Sequence, residues 1–195
     1  MEIIKLKSNR EFVEKLSNLL RMGKVIICPT DTVYGLICDA TNEKAVEKIF
    51  KIKKRPKGKP ISIFVKDIKM AKKFAIINKK QDEFLKKVWP GAVTLVLKPR
   101  KDLPKNIYQG KNTIGVRVPD YKLILNLSDK IKRPLAESSA NISGKPASTK
   151  IKEVLNQFKK GKFLPDLVLD AGNLNSSKPS IVVDLTTSEP KILRF

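Results

Sequence analysis

The chain contains no histidine at all. That absence excludes a serine–histidine–aspartate triad, a cysteine–histidine nucleophile pair, an HExxH zinc site and any imidazole acid/base step. Cysteine is nearly absent too. Cys28 and Cys38 lack the paired spacing of metal ligands and are too few for a disulfide framework, so both read as small core residues. No apolar run approaches the roughly 20 residues that a membrane helix needs. Met1-Glu2-Ile3-Ile4-Lys5 opens no apolar stretch of signal-peptide length. The expectation is a cytoplasmic protein without membrane contact. Aromatic residues make up only 6% of the chain, and there is no aromatic-rich RNA-recognition motif and no GXXG loop. What remains for chemistry is hydroxyls, amides, carboxylates, lysine, arginine and bound ions. Such a set suits reactions driven by positioning and charge stabilisation, phosphate chemistry foremost.

Positive charge, by contrast, is in excess: 41 basic residues stand against 19 acidic ones, a net charge of +22. A surplus of this size favours anionic partners such as nucleotides or RNA. Lysine supplies most of it and is spread along the whole chain, which also fits a solvated surface, a genomic bias or a thermophilic habit. The seven arginines (Arg10, Arg21, Arg55, Arg100, Arg117, Arg133 and Arg194) are more telling. A guanidinium suits bidentate contacts to phosphate and carboxylate.

Hydrophobic periodicity predicts a single α/β domain over 1–195 with a mixed sheet. A strand over 2–6 is followed by a helix opened by a Ser8–Glu11 capping box, with Phe12, Val13, Leu16, Leu19 and Leu20 on one face. Strand 24–28 leads into a polar turn and a short apolar segment to Cys38. A helix capped at Thr41 or Asn42 runs to about residue 53, where Pro56 stops it. Further strands are expected at 61–65, 92–98, 113–118, 135–138, 166–170 and 180–185. Helices are expected at 67–76, at 79–88, after Pro119-Asp120 and from Ser148 or Thr149 to Gly161. Residues 99–112 read as a loop, and the chain finishes on an apolar Ile192-Leu193 pair.

Three polar clusters interrupt this pattern. Residues 28–36, Cys-Pro-Thr-Asp-Thr-Val-Tyr-Gly-Leu, run from a strand into a tight turn, where Thr32 can donate and accept hydrogen bonds. A turn of this composition also forms for purely structural reasons. Lys53, Arg55 and Lys59 follow a helix end, where cations suit the dipole or can face an anion. Ser139, Asn141, Ser143 and Gly144 follow a strand and can wrap a phosphate or an amino-acid head group. This is neither a Walker loop nor a GxSxG elbow. Strand alternation puts Thr113 and Arg117 on one face.

The order of these segments carries a resemblance. The chain resembles the YrdC-like threonylcarbamoyl-AMP synthase family through Pro29-Thr30-Asp31-Thr32-Val33-Tyr34-Gly35-Leu36, Lys53-x-Arg55-Pro56, and Trp89-Pro90-Gly91-Ala92-Val93-Thr94-Leu95. The matches continue in Gly115-Val116-Arg117-Val118-Pro119, Ser139-Ala140-Asn141-Ile142-Ser143-Gly144 and Ser180-Ile181-Val182-Val183-Asp184. The resemblance implies a twisted mixed sheet flanked by helices around a basic cavity. It implies formation of threonylcarbamoyladenylate and pyrophosphate from L-threonine, bicarbonate or carbon dioxide, and ATP with Mg2+. A partner transferase would then modify tRNA with the product, and the basic surface could touch tRNA directly. Carried over by motif, Thr32, Arg117, Ser139 and Ser180 would hold threonine. Arg55, Lys59, Thr113, Asn141, Thr149 and Arg194 would hold ATP, with Lys53 and Arg55 stabilising charge on the phosphates. No metal ligand is assigned. Phe64 stands where some family members carry a histidine near the threonine. The sequence ends at Phe195, so the expectation is the short branch, without the C-terminal domain of the longer one.

Two other readings belong to different classes. One is a non-catalytic RNA-binding protein of the same fold, for tRNA or double-stranded RNA. The other is a carbamoyl-adenylate domain like that of hydrogenase maturation carbamoyltransferases, whose accessory zinc-finger and acylphosphatase regions are not found here.

Overall fold

The computed structural model describes residues 1–195 except Ser8 and Lys101. Its first half contains β1 (Glu2–Lys5), α1 (Arg10–Arg21), β2 (Ile26–Cys28), β3 (Gly35–Asp39), α2 (Glu43–Lys53), β4 (Ser62–Phe64), α3 (Ile68–Phe74), β5 (Ala75–Ile76) and α4 (Lys79–Val88). The second half contains β6 (Val93–Pro99), α5 (Lys105–Tyr108), β7 (Ile114–Arg117), α6 (Lys122–Ile131), β8 (Leu135–Ser139), α7 (Ile151–Phe158), β9 (Leu167–Asp170), β10 (Ile181–Asp184) and β11 (Lys191–Arg194).

Local chemistry sets the helix ends. The side chain of Asn9 accepts from Phe12 N at 2.9 Å, and that of Asn42 accepts from Ala45 N at 3.0 Å, each satisfying a donor that the helix cannot. The predicted capping box falls on Ser8, outside the described residues. Lys54, at φ 50°, closes α2 in the left-handed region and turns the chain. The helix predicted from Ser148 or Thr149 begins instead at Ile151 and ends at Phe158.

One mixed sheet runs through the molecule in the order β1-β9-β2-β3-β8-β4-β7-β6-β10-β11, with β5 pairing β6. Its register sorts side chains onto two faces. Leu36, Ala136, Ile63, Val116, Leu95 and Val183 lie on one face, packed with the apolar stripes of α2, α3, α4, α5 and α7. The opposite face is divided. At the end nearer β1, Ile26, Ile37, Leu135, Leu167 and Leu169 meet Phe12, Leu16 and Leu20 of α1 and Ile124, Leu127 and Ile131 of α6. Beyond them this face changes composition. Paired registers bring Gly35 against Ser139, Glu137 against Ser62, and Val96 against Gly115. Small and polar side chains give no helix an apolar surface to cover, and a cavity forms there.

Candidate functional site

The cavity has a volume of about 270 Å³ and sits over this uncovered part of the sheet. Alternate residues of neighbouring strands make its floor: Ser139 and Glu137 of β8, Ser62 and Phe64 of β4, Gly115 and Arg117 of β7, and Val96 of β6. The turn after β2, the segment around Pro60, Ser180 and Arg194 close the sides. Gly115 has a steric reason: a Cβ there would lie 2.5 Å from Ser62 Oγ.

Arg117 is buried to 2% exposure, and its surroundings explain two of the sequence segments. Its Nε donates to Gly91 O at 2.8 Å, so the Trp89-Pro90-Gly91 turn supplies an acceptor. Its Nη2 pairs with Asp31 Oδ1 at 2.7 Å, and Asp31 Oδ2 accepts from Asp120 N at 2.9 Å. Asp31 thus ties the turn after β2 to the segment after β7. The Phe64 ring lies 5.6 Å from the guanidinium, so the position where a histidine was of interest provides a cation–π support. A third donation, from Nη1 to Thr32 Oγ1, is long at 3.4 Å. Two of the five guanidinium N–H groups remain uncommitted.

The hydroxyls around it have an assignable proton order. Thr30 Oγ1 donates to Val33 O at 2.7 Å and accepts from Thr32 N at 3.0 Å. The Thr32 hydroxyl, 3.0 Å away, therefore donates to Thr30 and keeps acceptor capacity toward the cavity. Ser180 Oγ lies 2.9 Å from Thr94 Oγ1. Arg194 Nη2 donates to Ser180 Oγ at 3.1 Å and to Ser180 O at 2.8 Å. Arg55 is held by Lys59 O at 3.1 Å and Pro60 O at 2.6 Å, and burial lowers its pKa. Three guanidinium groups of the cavity wall, Arg55, Arg117 and Arg194, are thus oriented by backbone carbonyls, an arrangement suited to a multiply charged anion.

The sequence and fold match known proteins. The Sua5/YciO/YrdC family, described as telomere recombination, matches residues 18–195. The chain belongs to the Sua5/YciO/YrdC family. It is 37% identical over 179 residues to the threonylcarbamoyl-AMP synthase of Pyrococcus abyssi, covering 91% of this chain and 52% of that protein. It is 34% identical over 191 residues to the enzyme of that name from Bacillus subtilis, covering 97% and 54%. The chain therefore spans about half the length of these two curated relatives. Among solved structures, P. abyssi Sua5 complexed with L-threonine has a TM-score of 0.90 at 33% identity, covering 99% of this chain and 56% of that one. E. coli YciO has a TM-score of 0.87 at 26% identity, covering 99% and 93%.

Of the residues singled out from the sequence, this Sua5/YciO/YrdC fold brings Thr32, Arg55, Thr113, Arg117, Ser139, Ser180 and Arg194 into one cavity wall. Lys53, Lys59, Asn141 and Thr149 are not among the lining residues. Lys53 lies on the stripe that α2 buries, after Val46 and Ile49, and its side chain turns inward. Its Nζ donates to Ser139 O, to Asn141 O at 2.8 Å and to Asn141 Oδ1 at 3.1 Å. Burial, then the charge of Arg55, lowers its pKa to about 7, opposed by Glu137. The Asn141 amide donates to Ile142 O at 3.0 Å and Lys145 O at 2.6 Å. Ser139 Oγ donates to Asn141 Oδ1. Lys53 and Asn141 are therefore a latch beneath the Ser139–Gly144 loop rather than part of the cavity surface. Lys59 is exposed, and Thr149 O accepts from Leu174 N at 2.9 Å.

The sequence reading assigned no role to Glu137 and no partner to Asp31. Glu137 had one available signal: in Leu135-Ala136-Glu137-Ser138-Ser139 it shares a face with Ser139 by strand alternation. Among the described residues, no cluster of three or more His, Cys, Asp or Glu is placed to hold a metal ion. No helix of the described residues is long and apolar enough to cross a membrane.

Proposed function

We propose that this chain is a threonylcarbamoyl-AMP synthase, forming L-threonylcarbamoyladenylate and pyrophosphate from L-threonine, bicarbonate or carbon dioxide, and ATP. The observation that carries the reading is Arg117: an oriented guanidinium with two uncommitted N–H groups beside the Thr32 hydroxyl, in the cavity of a fold shared with a threonine-complexed Sua5. A fork of this kind matches an α-carboxylate. The adjacent hydroxyls of Thr32, Ser139 and Ser180 match the polar remainder of a small hydroxy amino acid.

The chemistry follows from what the walls offer. Bound threonine is carbamylated on its amine: the nitrogen attacks carbon dioxide as a C=O π bond opens, or bicarbonate as a C–O bond breaks and water leaves, and the amine's surplus protons pass to solvent. A carbamate oxygen then attacks the α-phosphorus of ATP, and the bond to the β-phosphate bridging oxygen breaks to release pyrophosphate. Such phosphorus chemistry needs alignment and charge stabilisation more than a covalent nucleophile. Arg55, Arg194 and Thr113 line the cavity, and in this reading they receive the triphosphate and the departing charge. Lys53 and Asn141 act by holding the loop that carries Ser139. Magnesium arrives as part of the nucleotide substrate.

The product passes to a tRNA-modifying transferase, and the +22 charge supports direct contact with tRNA at the same time. The reading takes the reaction to be cytoplasmic, a compartment that holds both ATP and tRNA. The test is pyrophosphate release by the purified protein with magnesium and ATP, omitting threonine and bicarbonate in turn. Release should require both; release indifferent to threonine would exclude the reading.

A further inference from the structure

Glu137 is the carboxylate on the cavity floor, and its situation is unusual. It lies on β8, opposite Ile37 of β3 and Ser62 of β4, with three guanidinium groups in the walls around it. Yet among the described residues no hydrogen bond reaches its carboxylate, and no cation stands close enough to form an ion pair. Desolvation is the largest influence on it and raises its pKa, against the pull of Arg117, then Arg194, Lys53 and Arg55. Glu137 is half-buried and lines the cavity, so its carboxylate is open to a donor that a ligand brings.

We infer that Glu137 receives the α-ammonium group of the amino-acid substrate and so selects for a zwitterion at this site. The inference rests on the synthase reading. Triphosphate and bicarbonate are anions that a carboxylate repels; the amino acid brings a fixed cation. Arg117 is the cation acting most strongly on Glu137. Between the two, the floor consists of Ser62, Gly115 and the Phe64 ring that backs the Arg117 guanidinium, and the two small residues leave room for a ligand backbone. An acid and a guanidinium across such a gap complement the ammonium and carboxylate of one zwitterion. Magnesium, the other available cation, would find one carboxylate, Glu137, in the cavity lining.

The test compares L-threonine with 3-hydroxybutyrate, which keeps the carboxylate, hydroxyl and methyl but lacks the amine. Affinities are measured by calorimetry for the wild type and for Glu137→Gln, a near-isosteric change. The wild type should bind threonine about 10–100-fold more tightly than 3-hydroxybutyrate, the range of one charge-assisted hydrogen bond. Glu137→Gln should erase that preference by weakening threonine alone. Wild-type protein that binds both equally overturns the inference without needing a variant. So does a Glu137→Gln protein that keeps the preference, or one that loses ATP affinity while threonine binding is unchanged. Wild-type protein that binds neither compound removes the synthase reading itself, a different outcome from any of these.

Discussion

Arg117 meets the cavity with its Nε and both terminal nitrogens already tethered, to Gly91 O, Asp31 and Thr32. A lysine at this position keeps the charge and can still pair with Asp31, but it has no planar fork. Arg117→Lys is therefore expected to bind threonine about 10–100-fold more weakly with an unchanged far-ultraviolet spectrum; calorimetry with unaltered affinity would contradict the role. Lys53 gives a pH signature. Its folded value, about 7, lies below the ordinary 10.5, so between these values the unfolded chain holds a proton that the folded chain has released. This group's contribution to unfolding free energy thus rises with pH across that window. Cys28, Cys38 and Tyr34, whose values burial raises, act in the opposite sense at higher pH. The clearest interval is pH 7 to 8. There the wild type should gain about 1 kcal/mol over the pH trend of Lys53→Met in urea unfolding; parallel trends would mean that the ammonium stays charged throughout.

The elements explain how much was legible beforehand. Helices α1 and α2 announced themselves through stripes three and four residues apart, and β6, β7 and β8 through their flanking turns. Strand β3 was harder: Gly35–Asp39 is buried at every position and has no alternation to read. Strand β11 is exposed throughout and α5 has four residues, so neither carries a periodic signal. The order of polar segments identified most of the cavity wall. What it could not supply was direction. Lys53 and Arg55 are two residues apart, yet helical phase turns the first inward, while the left-handed Lys54 precedes the second. Alternation already put Glu137 on the face of Ser139, but that this face is a cavity floor emerges only from the pairing of β8 with β3 and β4. Gly115 belongs to this scale too. An alanine there would press on Ser62, so Gly115→Ala should lower stability by about 1–3 kcal/mol and weaken ligand binding. Adding Ser62→Ala should recover part of the stability, as read by denaturant midpoints; a double variant no better than the single one would mean that Ser62 is not the obstruction.

For the molecule as a whole, the sheet divides its labour. One face is committed to packing, while the other is half covered by α1 and α6 and half left open, where Arg55, Arg117 and Arg194 line the cavity. Most of the +22 charge lies outside that cavity, and the proposed contact with tRNA would draw on it. Affinity for tRNA should fall at least about tenfold between 50 and 200 mM salt, whereas threonine-dependent pyrophosphate release should proceed without RNA. Salt-insensitive tRNA binding would argue against a charge-driven contact. The central claim, that this cavity joins an amino acid, one carbon of bicarbonate and an adenylate, is tested most directly by following labelled bicarbonate. With threonine and ATP present, the label should appear in a threonylcarbamoyl-adenylate detected by mass spectrometry, and omission of either substrate should abolish it. ATP turnover that leaves no label in an adenylate would contradict the account.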